Sequence, residues 1–459
     1  MTSIRFHLAV ICAKLSARLI RLLGRNASHN PGVVALKICP DFLKTAPKAP
    51  LAICVTGTNG KTTVSNLLTD ALEKAGKRVV SNRTGSNIVP GCTTNVVNSL
   101  DWRGRCRVDV TVFEVDERAS RLILPYLKPD YLVVTNLFRD SLKRNAHPDY
   151  IFSVINTYCP DSTRLILNAD DLCSCMLKPE SRRVFYGIGK LATDVTESHN
   201  LVADYQLCPK CGTKLVYDYL RYHHIGKAHC PQCDFRSFDA DYLVTDINAE
   251  EKTLTVSLHG QPSKYPLISE ITFNIYNQLT VLTTLREIGI PDEQVRQIFS
   301  TIRVPDSRLN ETTVGGVTVV QAMSKGQSCV SSCRTFDFVS GEPGRKAVVL
   351  AMDDAYDRKK SIEYIGWIYD VDYELLARED VVQVVASGPR CYDHRVRLLM
   401  AGVPEDRISF AADEMAAVDL VDITRADRVY ILYDTSTYTL SCRMKQKLLE
   451  RLEAANHEN

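Results

Sequence analysis

The chain has 459 residues, of which 45% are hydrophobic and 24% are charged, as expected for a globular protein of two or three domains. A formal net charge of +2 gives no argument for nucleic acid or for another strongly acidic partner. The 16 cysteines are mostly scattered singly, which indicates reduced thiols rather than a disulfide framework.

The apolar stretch at residues 6–23 is interrupted by Lys14, Arg18 and Arg21, which excludes an ordinary membrane-spanning helix. A secretory signal is disfavoured because the apolar core is short and no small-residue cleavage site follows. The charges fall on one side, so we predict an amphipathic helix. It either packs against the body of the protein or lies on a membrane surface.

A phosphate-binding loop follows the first predicted strand. Leu51, Ile53 and Val55 form an apolar run typical of a buried parallel strand, and helical spacing begins at Val64. Backbone N–H groups and a helix N-terminus can bind phosphate oxygens here. We expect Lys61 to face solvent until it reaches the β- and γ-phosphates of ATP. The predicted ATP-binding residues of the loop are Gly57, Thr58, Asn59, Gly60, Lys61, Thr62 and Thr63, with Thr62 also a ligand of Mg²⁺.

The loop sequence Gly-Thr-Asn-Gly-Lys-Thr-Thr resembles the ATP loop of the Mur ligases, the ATP-dependent ligases of peptidoglycan synthesis, and of their folylpolyglutamate synthase relatives. It departs from the common G-x-x-x-x-G-K-[ST] pattern, because Val55 stands where the first glycine would be. The resemblance implies an α/β fold, with a Mur-ligase-type ATPase domain and a C-terminal Rossmann-like α/β domain. Residues 1–50 are too few for the nucleotide-sugar-binding domain of amino-acid-adding Mur ligases. We therefore expect a substrate other than a soluble UDP-linked precursor.

Acidic residues end the strand predicted at residues 108–115. Carboxylates at such a position beside an ATP loop can hold Mg²⁺. By resemblance to the family we assign catalysis and magnesium binding to Glu114, and we expect Glu117 to cap the next helix. Further strands, alternating with helices, predict a parallel sheet with ligands at its C-terminal edge; they lie at residues 78–80, 129–137 and 165–167.

Two C-x-x-C knuckles separated by eighteen residues are a strong signature of a four-thiolate zinc site. Their composition predicts a structural zinc ribbon, inserted at about residues 203–238, that binds one Zn²⁺ without catalysing a reaction. Aromatic and basic residues in the spacer leave a nucleic-acid-binding ATPase as an alternative of another class, against which the net charge argues. The predicted ligands are Cys208, Cys211, Cys230 and Cys233.

Two later segments resemble the nucleotide site and the interdomain linker of the family. Asn277 precedes a predicted helix and takes the place of an asparagine that contacts adenine, with plain helix capping as the alternative. Arg308 takes the place of a phosphate-contacting arginine, although Ser307 replaces the glycine before it. The predicted domains are an N-terminal helix and lead-in (1–46), the ATP-binding domain (47–302) and a C-terminal α/β domain (312–459).

The C-terminal segments, above all Trp367-Ile-Tyr-Asp370, resemble the MurT branch of the family. This resemblance implies an ATP-dependent carbon–nitrogen ligase that works in a heterodimer with a GatD-like glutamine amidotransferase. It would convert the D-glutamate α-carboxylate of the lipid II stem peptide to D-isoglutamine, through an acyl phosphate and glutamine-derived ammonia. The rival activities are amino-acid addition of the Mur type and a folylpolyglutamate-synthase-like ligation.

In this branch the synthetase-like subunit supplies the carboxylate that orients the histidine of the glutaminase. We choose Asp370 for that role; an Asp at this position could instead cap a helix or pair with an arginine. We expect a cytoplasmic protein without a nucleic-acid partner, located at the inner face of the membrane if the N-terminal helix binds lipid. The full set of candidates is Asp353, Asp354, Asp357, Asp370 and Asp372.

Overall fold

The computed structural model describes residues 4–83, 86–139, 147–303, 309–324, 327–353 and 365–457, which fall into two compact units. The α/β prediction is confirmed, because both units are built on largely parallel sheets with helices between the strands. The second unit holds residues from 305 onward together with Arg139 and the segment Ser198–Ala203. The predicted domain boundaries stay a prediction.

The first unit is organised around a nine-stranded sheet of order β11-β10-β9-β6-β5-β4-β1-β3-β2, and β7 and β8 form a separate hairpin. All neighbours are parallel except the antiparallel meander β9-β10-β11. The strands are β1 (Leu51–Thr56), β2 (Val79–Ser81), β3 (Val110–Glu114), β4 (Tyr131–Val134), β5 (Arg164–Asn168), β6 (Arg183–Ile188), β7 (Val216–Tyr222), β8 (Ile225–His229), β9 (Tyr242–Asn248), β10 (Thr253–Leu258) and β11 (Gln261–Pro266).

The helices of this unit cover the sheet and bury the apolar residues of β1, β3, β4 and β5. No helix of the described ranges is long and apolar enough to cross a bilayer. The helices are α1 (Ile4–Leu22), α2 (Asn30–Ile38), α3 (Phe42–Thr45), α4 (Lys61–Lys74), α5 (Val89–Ser99), α6 (Ser120–Leu127), α7 (Pro148–Tyr158), α8 (Thr272–Glu287) and α9 (Asp292–Thr301).

An unusual connection links β6 to its parallel neighbour β9. Parallel neighbours are usually joined by a helical crossover. Here the crossover holds the hairpin β7-β8 and the four zinc-ribbon cysteines. The cysteine-rich insertion is therefore part of the main sheet's connectivity.

The second unit has a six-stranded sheet of order β12-β13-β17-β14-β15-β16, parallel except for β12. Its strands are β12 (Leu309–Val314), β13 (Val317–Met323), β14 (Lys346–Ala351), β15 (Val381–Ser387), β16 (Ile408–Ala411) and β17 (Arg428–Tyr433). Its helices are α10 (Cys329–Gly341), α11 (Gly366–Tyr369), α12 (Cys391–Met400), α13 (Glu414–Asp419) and α14 (Tyr438–His457).

Candidate functional site

The predicted phosphate loop lies between the end of β1 and the start of α4. Gly57 and Gly60 adopt φ angles of 124° and 86°, which favour glycine. A Cβ added at Gly57 would lie 2.8 Å from Asn136 O, and one added at Gly60 would lie 2.5 Å from Asn277 Oδ1. Conformation and close approach therefore both require glycine at these two positions.

The segment after β4 holds this loop through hydrogen bonds in both directions. Thr58 N donates to Asn136 O at 2.8 Å, and Phe138 N donates to Thr58 Oγ1 at 2.9 Å. Asn59 N donates to Asn136 Oδ1 at 3.0 Å, while Asn136 Nδ2 donates to Asn59 O at 3.1 Å. The conformation of the phosphate loop is therefore fixed by the segment that follows β4.

Lys61 is held by a buried carboxylate. Its Nζ donates to Glu117 Oε1 at 2.8 Å and to Thr58 O at 3.3 Å, and it also contacts Gly57 O. The side chains of Lys61 and Glu117 are only 11% and 3% exposed. The expectation that Lys61 faces solvent is therefore wrong, because the buried carboxylate draws its ammonium group into the loop.

Glu117 does not cap the next helix, because the N-cap residue of α6 is Ala119 and no side chain caps it. Asp116 Oδ1 accepts hydrogen bonds from the N–H groups of Arg118 and Ala119, just before α6 begins. The expectation for Glu117 is wrong because its side chain is committed to Lys61. The sequence alone does not indicate which of Glu114, Asp116 and Glu117 pairs with Lys61.

Asn59 carries a buried donor in the phosphate loop. Its Nδ2 makes no hydrogen bond among the described residues, and the residue is 9% exposed. A buried donor without a partner costs about 1–3 kcal/mol, which a phosphate oxygen could offset. Together with Lys61 and the first N–H groups of α4, this donor set fits the phosphates of ATP.

Asn277 lies inside α8, since the helix begins at Thr272 after Ile271, whose side chain makes no cap. The capping alternative is therefore wrong. Asn277 Nδ2 donates to Asn274 Oδ1 at 3.3 Å, and its Oδ1 lies against Gly60. The side chain thus borders the phosphate loop, while its contact with adenine stays a prediction.

The two predicted magnesium ligands lie on adjacent strand–loop connections. Thr62 is exposed in the first turn of α4, and Thr63 beside it is half-buried. Glu114 ends β3 opposite Val55, and its Oε1 accepts a hydrogen bond from Asn87 Nδ2 at 3.0 Å. Hydroxyl and carboxylate oxygens are ligands that suit Mg²⁺. The roles of these residues stay predictions.

The four knuckle cysteines converge on one point. Their Sγ atoms all lie within 4.8 Å of one another, and the closest pairs are 3.5 and 3.6 Å apart. A tetrahedral site with Zn–S bonds of about 2.3 Å has S···S edges of about 3.8 Å. The donor set therefore fits Zn²⁺.

The turn of the β7-β8 hairpin packs against the segment that holds the phosphate loop. His224 Nε2 lies 3.0 Å from Asp171 Oδ1, and Leu137 N donates to Asp171 Oδ2 at 2.8 Å. The next residue, Phe138, bonds to Thr58 as described above. Three rings of the hairpin contact Phe138, with centroids 4.5–6.2 Å away: Tyr222, His223 and His224.

A buried ion cluster also joins the hairpin to the sheet. Arg221 Nη2 donates to Asp194 Oδ2 at 2.8 Å, and Arg221 Nη1 lies 3.4 Å from Asp170 Oδ2. All three side chains are at most 4% exposed. Burial disfavours the charged guanidinium, but Tyr276 and the two carboxylates outweigh it and raise the pKa of Arg221. The cysteine-rich insertion is therefore anchored by charges as well as by ring contacts.

Of the five candidate aspartates, Asp354 and Asp357 lie outside the described residues. Asp372 is 2% exposed and accepts hydrogen bonds from Asn200 Nδ2 and Leu201 N, both at 2.7 Å. Asp353 is 1% exposed and accepts one from Arg390 N at 2.9 Å. Both carboxylates are thus engaged inside the second unit.

Asp370 is the accessible member of the described candidates, with its side chain 35% exposed. It follows α11 as the C-cap residue, and its Oδ2 lies 3.2 Å from Arg139 Nη1. Asp370 therefore lies at a helix end and beside an arginine, as the two alternatives to a catalytic role expected. Its role as the carboxylate that orients the histidine of the glutaminase stays a prediction. Arg308, the expected phosphate contact of the linker, lies outside the described residues.

Sequence reasoning missed the residues that support the phosphate loop from other strands. Glu117 was passed over because Glu114 and Asp116 stand in the same short run. Asn136 and Phe138 follow β4, and a polar residue directly after a parallel strand was the available signal. The contact of Tyr222 and His224 with Phe138 had no signal, because it joins segments far apart in the chain.

Two family models match the chain: the Mur ligase middle domain over residues 55–210 and the MurT ligase C-terminal domain over residues 330–440. The lipid II isoglutaminyl synthase (glutamine-hydrolyzing) subunit MurT of Staphylococcus aureus strain COL is 29% identical over 401 residues, 86% of this chain and 88% of that protein. Its namesake from Streptococcus pneumoniae strain R6 is 24% identical over 457 residues, 98% of each chain.

Solved structures share the fold at low sequence identity. A pseudomurein peptide ligase type C from Methanothermus fervidus matches with a TM-score of 0.68 and 18% identity, over 89% of this chain and 81% of the other. MurF from Acinetobacter baumannii matches with a TM-score of 0.62 and 13% identity, over 91% and 80%. These likenesses support the Mur-type architecture of both units.

Proposed function

We propose that this chain, which belongs to the Mur ligase family and within it to the MurT branch, is the ATP-dependent synthetase subunit of a lipid II isoglutaminyl synthase. The observation that supports this proposal most is the phosphate loop, in which Gly57 and Gly60 allow the loop conformation, and Lys61 and Asn59 supply donors. The end-to-end similarity to curated MurT subunits supplies the substrate class.

The reaction makes an amide from a carboxylate, which is a poor electrophile. The α-carboxylate of D-glutamate in the stem peptide attacks the γ-phosphorus of ATP, which gives an acyl phosphate and ADP. Ammonia then attacks the acyl carbon, the C–O bond to phosphate breaks, and D-isoglutamine and inorganic phosphate leave after loss of a proton. A phosphate leaving group makes the second step possible.

The chain's own residues stabilise the charge that develops on the transferring phosphoryl group. Lys61 and the N–H groups at the start of α4 bind phosphate oxygens, and Glu117 keeps the Lys61 ammonium in position. Thr62 and Glu114 would hold Mg²⁺, which supplies further neutralisation of the phosphates. Cys208, Cys211, Cys230 and Cys233 would hold Zn²⁺, which supplies a structural cross-link.

The nitrogen source is a partner glutaminase of the GatD type, bound as a heterodimer. A glutaminase with a Cys–His pair gains from a carboxylate that orients the imidazole, and Asp370 is our candidate for that group. Its accessibility supports this choice over Asp353 and Asp372, which are engaged by internal hydrogen bonds. We propose the cytoplasmic face of the membrane as the place of the reaction, since lipid II is a lipid-linked substrate.

The test is to combine the purified chain with its glutaminase, lipid II, ATP, Mg²⁺ and nitrogen-labelled glutamine. We expect the label in the stem peptide, with one ATP hydrolysed per amide formed. A substrate whose α-carboxylate carries heavy oxygen should transfer that oxygen to inorganic phosphate. Addition of a free amino acid in place of amidation would instead support the Mur-type amino-acid ligase, and absence of both products would refute the proposal.

A further inference from the structure

Helix α1 has two opposite apolar faces. Phe6, Ala9, Val10, Ala13 and Ala17 are buried and pack against the first unit. On the other side, six large aliphatic side chains are 40–89% exposed: Ile4, Leu8, Ile11, Leu15, Leu19 and Leu22.

These six residues, which we call the α1 stripe, form a continuous surface. With 3.6 residues per turn they fall within about 80° of the helix circumference, roughly opposite the buried face. From Ile4 to Leu22 the stripe extends for about 27 Å at 1.5 Å per residue. Packing against the body of the protein explains only the buried face, because a helix needs no second apolar face for it.

The charged residues of the N-terminal segment itself are all of one sign. Residues 1–40 contain no Asp or Glu, although the whole chain has nearly as many acidic as basic residues. Lys14, Arg18 and Arg21 follow one border of the stripe, and Arg5 lies on the other. The basic residues of this segment are Arg5, Lys14, Arg18, Arg21, Arg25 and Lys37.

An exposed tryptophan lies at the same border. Trp102 is 40% exposed, and the Arg18 guanidinium stands over its ring at 4.5 Å from the centroid. Lys14 Nζ stands over the same ring at 5.7 Å. A tryptophan beside cationic side chains is typical of the level where lipid headgroups meet acyl chains.

We propose that the α1 stripe docks the protein onto an anionic phospholipid leaflet. The aliphatic side chains would enter the acyl boundary, and the basic residues would contact the lipid phosphates, with the helix axis parallel to the membrane plane. The charge complementarity favours anionic lipid over a second copy of the chain, because two such stripes would bring like charges together. The inference goes beyond the proposed reaction and does not depend on it.

The experiment measures flotation of the full-length, zinc-loaded chain with vesicles that contain no lipid II. Vesicles of phosphatidylglycerol and phosphatidylcholine should bind the protein, and vesicles of phosphatidylcholine alone should bind it at least about fivefold more weakly. The variant Leu15→Glu/Leu19→Glu should lose at least about tenfold in binding, because two leucines leave the apolar boundary. Arg18→Gln/Arg21→Gln should weaken binding to the anionic vesicles and flatten its salt dependence.

A matched control is Val396→Glu/Met400→Glu, which alters two exposed apolar residues at the same spacing on α12. It should bind vesicles like the unaltered protein. An equal loss in this control, or no binding of the unaltered protein to anionic vesicles, would overturn the proposal. So would self-association in sedimentation that Leu15→Glu/Leu19→Glu abolishes, since the stripe would then belong to a second copy.

Discussion

Replacing Lys61 should damage stability as well as catalysis, because its partner Glu117 is 3% exposed. At 2.8 Å, the attraction between the two charges is about 6 kcal/mol for an effective dielectric constant of about 20. Most of that attraction offsets the cost of burying both charges, so the net value of the pair is small. Removing only the ammonium group leaves the cost of burying the Glu117 carboxylate without the attraction that offset it, and Lys61→Ala should lower the free energy of unfolding by about 3 kcal/mol.

A second substitution separates the effect of Lys61→Ala on stability from its effect on catalysis. Glu117→Gln removes the buried charge, so Lys61→Ala/Glu117→Gln should recover most of the stability lost in Lys61→Ala. ATP-dependent amidation should remain absent in the double variant, because the phosphate contact is still missing. The pair of variants therefore distinguishes loss of chemistry from loss of fold.

The assay is urea unfolding followed by tryptophan fluorescence in a Trp367→Phe background. The chain has two tryptophans, so Trp102 then reports on the first unit alone. Unaltered stability of Lys61→Ala would refute the reasoning, and so would failure of Glu117→Gln to restore it. Amidation at the normal rate in the stable double variant would refute the nucleotide role of Lys61.

Three further predictions follow from the same structure. Gly60→Ala should weaken ATP binding at least about tenfold, since its Cβ would lie 2.5 Å from Asn277 Oδ1; equilibrium binding of labelled ATP checks this. Cys208→Ser/Cys230→Ser should lose zinc by elemental analysis and raise the KM for ATP, because the hairpin packs against the segment that holds the phosphate loop. Asp370→Asn should lose most glutamine-dependent amidation and keep amidation supported by free ammonia, because the ATP site is untouched.

Two of these three variants, Gly60→Ala and Asp370→Asn, have a matched control in the chain. Gly76→Ala has a similar φ of 78° but no atom within 4 Å of the added Cβ, so it should leave ATP binding unchanged. Asp393→Asn alters an aspartate whose side chain is 32% exposed and close to an arginine. This variant should keep both glutamine-dependent and ammonia-dependent amidation. Zinc retained at full occupancy in the double cysteine variant would contradict the metal assignment. If Asp370→Asn still used glutamine as well as it uses free ammonia, Asp370 would not be the carboxylate that orients the glutaminase histidine.

The strands that form the ATP site could be predicted because each is a short apolar run before a polar turn. The strand predicted at residues 165–167, for example, lies within β5 (Arg164–Asn168), and β1 followed from Leu51, Ile53 and Val55. Parallel strands buried on both faces carry this signal in the sequence itself. The convergence of the four cysteines followed in the same way from a local spacing.

The features that could not be predicted from the sequence depend mainly on contacts between distant segments. Helix α8 is buried along its length from Asn274 to Leu285, so its start could not be located from an amphipathic pattern. The pairing of Lys61 with Glu117 joins residues 56 positions apart, and a run of three carboxylates does not indicate which of them it involves. The β9-β10-β11 meander was not predicted, although Thr253–Leu258 alternates polar and apolar residues, the pattern of a half-buried strand.

The crossover between β6 and β9 has a consequence for the newly made protein. Until the cysteine-rich crossover is in place, β6 ends a parallel sheet and leaves its outer N–H and C=O groups unpaired. The β9-β10-β11 meander, whose contacts are local, can form early but must wait to join that edge. Under the proposed zinc assignment, zinc supply during synthesis would thus determine how long an open strand edge is exposed to aggregation and to chaperones.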